Sequence, residues 1–509
     1  MELEEMLKKF SALDEKEVEV EALPEEAVGV TGDLDSVTTG GDAVQAGGSV
    51  KIRVERELRV ALEGLPEGVM DEVARELTFK NPLWIRAKRA GTLTSEITRE
   101  LTCYWQGDGY LFTTRGFASR LIRILQAHRR KGEYDDHTKR PGMVYFEFKG
   151  GLYPYQNEVV EVVHGRRFGI ICGPIGSGKK VVALHLAVDR QVPVMVIVKT
   201  KSQAYQWQEM AGRFLGLSQA DIGLIGDGRQ DQGRPVTIAI SRALHKMIDN
   251  VAESVGFLIV DQCDRVGLNV FFKFVRYIPS AYMLGLAIRR KRDDGLTNLM
   301  HAYVGPRLAE IDIDRVYRES TAIRPVFCGR DTGFDYNFNE DYKAMVGALA
   351  VDPERNERIV TDVLAETATK KDARTVVLVE RLIHLEALQK VFKANYRDCV
   401  LISGQTKKDQ LPVIFDLFNK GKTQIICVTA KSFGLLDVDR ITHLFVASPL
   451  RHPENLCQAV GKLLWSKPGD DPPKIFDYRD RPTHLRGSYR GRLRVYRDMG
   501  VKINEVFAV

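Results

Sequence analysis

From about residue 150 onward the chain alternates two kinds of hydrophobic pattern. FGIIC, VPVMVIV, VTIAI and FLIVD are short, largely apolar runs rich in Val and Ile, whereas VVALHLAVDR and SQAYQWQEMAGRFLG repeat their apolar positions every three or four residues. Short Val/Ile-rich runs are strands buried on both faces, and only flanking helices can cover both, so the alternation predicts a parallel sheet. The rhythm returns in TVVLVE, DCVLISG, QIICVTA, THLFVAS and KIFDY. The fold class expected is therefore α/β, with tandem parallel-sheet domains at 150–312 and 373–480 and a charged, less regular connection at 313–372. Ahead of them, residues 51–149 place the strand-like runs YLFTT and MVYFEF around a helical stretch, GFASRLIRILQAHRRK, as a small accessory α/β domain would. Residues 481–509 read as a basic C-terminal helix.

One of the apolar runs opens onto recognisable chemistry. FGIIC leads into GPIGSGKK, which carries Gly173, Gly176, Gly178 and Lys179 and fits the pattern G-x-x-x-x-G-K-[S/T] up to its last position. A strand that delivers a glycine-rich turn to a helix N-terminus presents backbone N–H groups and the helix dipole to phosphates. The final position normally supplies a hydroxyl to Mg²⁺; here it is Lys180. Some eighty residues on, FLIVDQCD ends a strand in Asp261, where such folds hold the metal of a bound nucleotide. An ammonium at 180 stands near that metal position, so an internal Lys180–Asp261 ion pair is expected in its place.

Composition narrows the setting. A chain of 509 residues, 44% hydrophobic and 28% charged, suits about three soluble domains. No apolar run approaches the ~18 residues of a membrane span, and MELEEMLKKF lacks the pattern of a signal peptide, so no membrane association and a cytoplasmic location are expected. The seven cysteines show no C-x-x-C pair, which argues against a zinc site or a disulfide framework. Residues 1–50 hold 13 acidic against 3 basic residues and end in a Gly/Asp/Ser/Thr-rich stretch, an acidic flexible tail. The tail is either a solvated extension or a competitor that folds back on a basic surface. The rest of the chain is thus more basic than the overall +6, a footprint of polyanion binding. At the C-terminal end, Arg486, Arg490, Arg492, Arg494 and Arg497 interleave with Tyr489 and Tyr496. That mixture suits phosphates and stacked bases, or else a solvated amphipathic helix.

The phrases LYPYQNEVVE, GPIGSGKK, VIVKTKSQAYQWQEM, FLIVDQCD, YMLGLAIRRKRDDGL and ICVTAKSFGLLDVDRITHLFVASPLRHPENLCQAVGKLLW occur in this order between about Gly151 and Arg497. Together they resemble the superfamily 2 DNA helicases of DEAD/DEAH type, a group that includes type III restriction subunits. The resemblance implies two tandem RecA-like domains, with nucleotide at Gln156, Gly173, Gly176, Gly178, Lys179 and Lys180 and any Mg²⁺ at Asp261. It equally marks what has changed. Gln262 stands where the family has its glutamate base, and Ala287, Ile288, Arg289 and Arg290 replace the Ser-Ala-Thr-Pro coupling segment. The Q-x-x-G-R-x-x-R pattern keeps Gln458 and Gly461 but has Lys462 and Trp465 at the arginine positions, and GLLD keeps Asp437 without its glycine.

An arginine finger is worth roughly 10³–10⁵ in rate, lysine lacks its planar fork, and groups that act as a unit fail together. The expectation is weakly held ATP, an Mg²⁺ site in question, and very slow or absent turnover. DNA remains an expected partner, through Arg289, Arg290, Lys291 and Arg292 and through Arg490 and Arg494. The function expected is a DNA-binding scaffold or regulator beside a protein partner in a DNA-processing complex. Two alternatives stay open: an active translocase with unusual catalytic groups, and a protein-interaction module that has lost DNA binding.

Overall fold

The computed structural model describes residues 47–503 apart from 92–94, 96, 338–340, 369, 371, 396, 408, 451–452 and 466–470. The acidic tail therefore lies outside the described residues as far as position 46. Its expected last residues belong to a strand, Gly47–Val54, paired with Arg130–Asp136 on one side and Leu58–Ala61 on the other. Val50, Ile52 and Val54 alternate into the core, a period-two signal that the preceding glycines obscured. Residues 143–148, read as strand-like, form no strand: Met143 and Tyr145 point to solvent and no neighbouring strand pairs with them.

Five strands make the N-terminal sheet, in the order Tyr104–Gly107, Tyr110–Thr113, Leu58–Ala61, Gly47–Val54, Arg130–Asp136. Helix α1 (Ala118–Ala127) packs on it through Ala118, Leu121, Ile124 and Leu125. This module shares one continuous apolar core with the sheet that follows. The buried Arg115 fastens the two, its guanidinium donating to the carbonyls of Ser280 at 2.6 Å and Ile278 at 2.6 Å.

The first large sheet contains β1 (Phe168–Cys172), β2 (Val194–Val198), β3 (Ile222–Gly226), β4 (Val236–Ile240), β5 (Phe257–Asp261), β6 (Tyr282–Ala287) and β7 (Arg307–Glu310). Their order is β3-β4-β2-β5-β6-β1-β7, all parallel, with a short antiparallel strand beyond β3. β1 to β5 are buried at every position, as unbroken apolar runs require. Helices α2 (Pro154–His164), α3 (Lys179–Arg190) and α4 (Lys201–Leu215) belong to the same unit.

The second sheet holds β8 (Val326–Asp331), β9 (Thr375–Val379), β10 (Val400–Ile402), β11 (Ile425–Thr429), β12 (His443–Val446), β13 (Lys474–Arg479) and β14 (Lys502–Ile503). They run parallel in the order β10-β11-β9-β12-β13-β8-β14. The stretch 313–372 is more than a connection. It contributes β8 to this sheet, and helix α5 (Pro353–Ala368) buries Ile359, Val360 and Val363 against it. Its charges suggest a solvated segment, yet one of them is internal: Arg355 is buried and pairs with buried Asp480 at 2.8 Å. Helices α6 (Pro453–Leu464) and α7 (Thr483–Asp498) complete the region.

Contacts divide the described residues into two compact units, one running as far as Gly173 and resuming at Gly178–Ile311, the other comprising those from Asp312 onward with the loop residues Pro174–Ser177.

Candidate functional site

The turn between β1 and α3 has the local geometry that phosphate recognition requires. Gly176 and Gly178 adopt φ of 84° and 76°, left-handed values that side chains avoid, and Gly178 forms the N-cap of α3. A Cβ at Gly178 would lie 2.0 Å from the Gln156 amide nitrogen, so glycine is obligatory there. Gln156, expected at the nucleotide, is buried beneath the turn. Its Oε1 accepts from the Tyr153 N–H at 2.9 Å and caps α2, a bracing role. Lys179 is also buried and donates to the Gly173 carbonyl; desolvation lowers its pKa from the ordinary 10.5 to about 8. The helix N-terminus, the bare glycine backbone and this lysine fit a phosphate group.

The metal position does not fit its ion. Asp261 ends β5, with β6 between it and β1, so it is one strand removed from the loop strand rather than its immediate neighbour. Its Oδ2 lies 3.4 Å from Lys180 Nζ, the ion pair expected from the sequence. The same oxygen accepts the indole N–H of Trp207 at 2.8 Å. Lys180 is held in turn by Gln206 Oε1 at 3.3 Å and stands 5.3 Å from the centre of the Trp207 ring, a cation–π contact. Ser177, the adjacent hydroxyl, turns inward and donates to the Pro174 carbonyl at 2.8 Å. A divalent ion at Asp261 would meet a resident ammonium and gain no hydroxyl from position 180.

Nothing in the sequence singles out Trp207. Its only signal is its place on the buried stripe of α4, with Gln203, Ala204, Ala211 and Leu215, which reads as ordinary core. Asp264 closes the phrase FLIVDQCD with no role of its own legible there. It is buried, its carboxyl pushed up by desolvation, and it accepts from the backbone N–H of Ile288 at 2.9 Å and Arg289 at 3.2 Å. The residues after β5 and after β6 are thus tied together without the family's Ser-Ala-Thr-Pro hydroxyls. Gln262, at the base position, adopts φ of 51° and leaves its side chain half-buried.

The four basic residues after β6 divide. Arg292 was expected to meet nucleic acid, and the structure contradicts this. The side chain is buried, donates to the carbonyls of Cys263 and Val266 at 3.0 Å each, and pairs with Asp294 at 2.6 Å. Arg289 reaches Asp293 at 3.2 Å, Arg290 is largely exposed and pairs with Glu310 at 2.6 Å, and Lys291 is exposed.

In the second unit, Lys462 is half-buried in the last turn of α6 and Trp465 follows that helix, 37% exposed. On α7, Arg490 and Arg494 are exposed. The interleaved residues are not: Arg492 is buried and fork-paired to Asp477 at 2.7 and 2.8 Å, and Tyr496 donates to the same carboxylate at 2.7 Å. Tyr489 is buried as well, so neither tyrosine is available for stacking on bases.

Comparison with known proteins agrees with this layout. Residues 149–287 match the family described as type III restriction enzyme, res subunit, and residues 356–464 match the helicase conserved C-terminal domain. A protein of Invertebrate iridescent virus 6 designated as a candidate helicase, 161L, is 26% identical over 378 residues, covering 70% of this chain and 82% of its own. The DNA 3'-5' translocase XPB2 of Sulfurisphaera tokodaii is 22% identical over 352 residues, covering 62% of this chain and 79% of its own. Both family matches fall in the expected order, each on one of the two parallel sheets, and together with these relatives they support a superfamily 2 helicase with two tandem α/β domains.

Proposed function

We propose that this protein is a DNA-binding member of the superfamily with little or no ATP hydrolysis, acting as a scaffold or regulator beside a protein partner in a cytoplasmic DNA-processing complex. One observation carries this: the Asp261 carboxylate is already satisfied from within the protein, by Lys180 at 3.4 Å and Trp207 at 2.8 Å. The other departures point the same way. The Gln262 amide is too weak a base to take a proton from water, and neither Lys462 nor Trp465 offers the guanidinium fork that steadies charge on a transferring phosphoryl group. Lys179 and the loop amides keep the capacity to hold the phosphates of a nucleotide such as ATP, with the Lys180 ammonium supplying positive charge nearby. Mg²⁺ has no part in that binding. DNA as the polymer is supported by family membership and by the named activity of the translocase relative.

A second reading, a working DNA translocase with unconventional groups, is favoured by the names of those relatives. The two separate on ATPase activity measured with Mg²⁺, with and without DNA, for the native protein and for a variant carrying Lys180→Thr, Gln262→Glu, Lys462→Arg and Trp465→Arg. We expect no DNA-stimulated turnover from the native chain. Robust DNA-stimulated turnover by the native chain would establish the translocase instead.

A further inference from the structure

Helix α7 carries two arginine populations. Arg492 faces inward onto Asp477, whereas Arg486, Arg490, Arg494 and Arg497 are all exposed. Their spacing of four, four and three residues sets them in a single row along about 16 Å of helix. None of the four side chains makes an ion pair or hydrogen bond among the described residues, in contrast to those of Arg289, Arg290 and Arg292. Like charges at i,i+4 repel, so the row works against the helix that displays it.

A second oddity runs beside the row. Gly487 and Gly491, also four apart, lie in the helix interior and are exposed. A Cβ added at either would meet nothing within 4 Å. Neither site needs a left-handed backbone or close packing from within the protein, and glycine is the poorest helix former short of proline. Bare backbone flanked by unpaired arginines is what a closely approaching external polyanion would require.

We propose that this arginine–glycine face of α7 docks the phosphodiester backbone of duplex DNA. The charge calls for a polyanion, and a duplex presents one negative charge per about 1.7 Å of axis. The face offers no exposed Phe, Tyr or Trp ring, since Tyr489 and Tyr496 are buried, so it lacks the large rings on which unpaired bases stack best. Its contacts are to phosphate and indifferent to sequence. This inference rests on the DNA partner proposed above and adds to it a surface and a strand form.

The test uses the full chain and fluorescence anisotropy with a labelled duplex and a single strand of equal length, each titrated across a range of KCl. Arg490→Gln with Arg494→Gln should flatten the slope of log affinity against log salt for duplex by about two units, near 0.9 for each lost phosphate contact. Gly487→Ala with Gly491→Ala should raise Tm yet weaken duplex binding several-fold, a combination that a merely structural role cannot produce. The proposal is overturned if duplex affinity and slope are native in the arginine variant, if the loss is confined to the single strand, or if the alanine variant binds duplex as the native protein does. Duplex affinity that rises in the arginine variant, and only while residues 1–46 are present, would overturn it in favour of the acidic segment as the occupant. Native protein that binds neither DNA at low salt would instead defeat the reading under Proposed function.

Discussion

Lys180 is a cation where the family pattern has a hydroxyl, and the neighbouring side chains engage it. Trp207 donates to the shared carboxylate and gives the ammonium an aromatic face, while Gln206 accepts from it. Removing the lysine should expose that dependence. Lys180→Thr is expected to lower stability by about 2 kcal/mol, the scale of a hydrogen bond to a charged group, and to make Tm rise on addition of Mg²⁺. Native Tm should not respond to Mg²⁺; thermal melts with and without the ion compare the two. Trp207→Phe keeps the ring but deletes the N–H, and urea unfolding should report a loss of about 1–3 kcal/mol.

Lys179 gives a pH signature. Burial lowers its pKa from 10.5 to about 8, so the charged form strains the folded state below pH 8, and that strain is relieved as pH rises from 8 toward 10.5. Phosphate binding needs the charged form. Nucleotide affinity should therefore fall as pH rises from 7 through 9, with proton uptake on binding above pH 8, measurable by calorimetry in buffers of different ionisation enthalpy. A rise in affinity over that range would remove Lys179 from the binding site.

At the scale of the element, α7 shows how little composition says about what an arginine does. Arg492 and Arg494 are two residues apart on the same helix. Breaking the buried pair with Arg492→Ala should cost about 3–5 kcal/mol in denaturant unfolding, whereas Arg494→Ala should fall within about 0.5 kcal/mol of native. The strands were legible for the opposite reason. Val194–Val198 and Phe257–Val260 are unbroken apolar runs, and a run with no polar face can sit only in the middle of a covered sheet. The phosphate turn was legible because glycines and a lysine at fixed spacing, placed between a strand and a helix, specify one backbone geometry and the anion that fits it. The sequence places Arg292 at nucleic acid and leaves Tyr489 open between base stacking and a solvated helix, because a basic or aromatic residue near a functional motif looks the same in sequence whether it faces solvent or core. Nothing local to α5 showed that Arg355 would meet Asp480, which lies 125 residues further along the chain.

Across the whole molecule, charge is distributed unevenly between the described body and the segment ahead of it. Residues 1–50 carry 13 acidic and 3 basic residues, and the unpaired arginine row lies at the other end of the chain. Deleting residues 1–46 should tighten DNA binding at low salt, with the gain shrinking as salt rises past the screening length of about 10 Å at 0.1 M. Anisotropy titrations at two ionic strengths measure both, and equal affinities at low salt would leave that segment without an electrostatic role in binding.

The sequence alone determined the α/β class, the two repeating sheet rhythms, the phosphate turn and the departures from the family pattern at Lys180, Gln262, Lys462 and Trp465. Each of these is written in residues that are contiguous or set at fixed spacing, where local sterics and periodicity suffice. Only the tertiary structure decided that Trp207 completes the Asp261 pairing, that Asp264 ties two loops together, that Arg292 and Arg492 are internal, and that residues 47–54 and 326–331 are sheet strands. Those outcomes depend on which groups distant in the chain become neighbours, and burial, which fixes whether a charge must find a partner, is a property of that assembled neighbourhood.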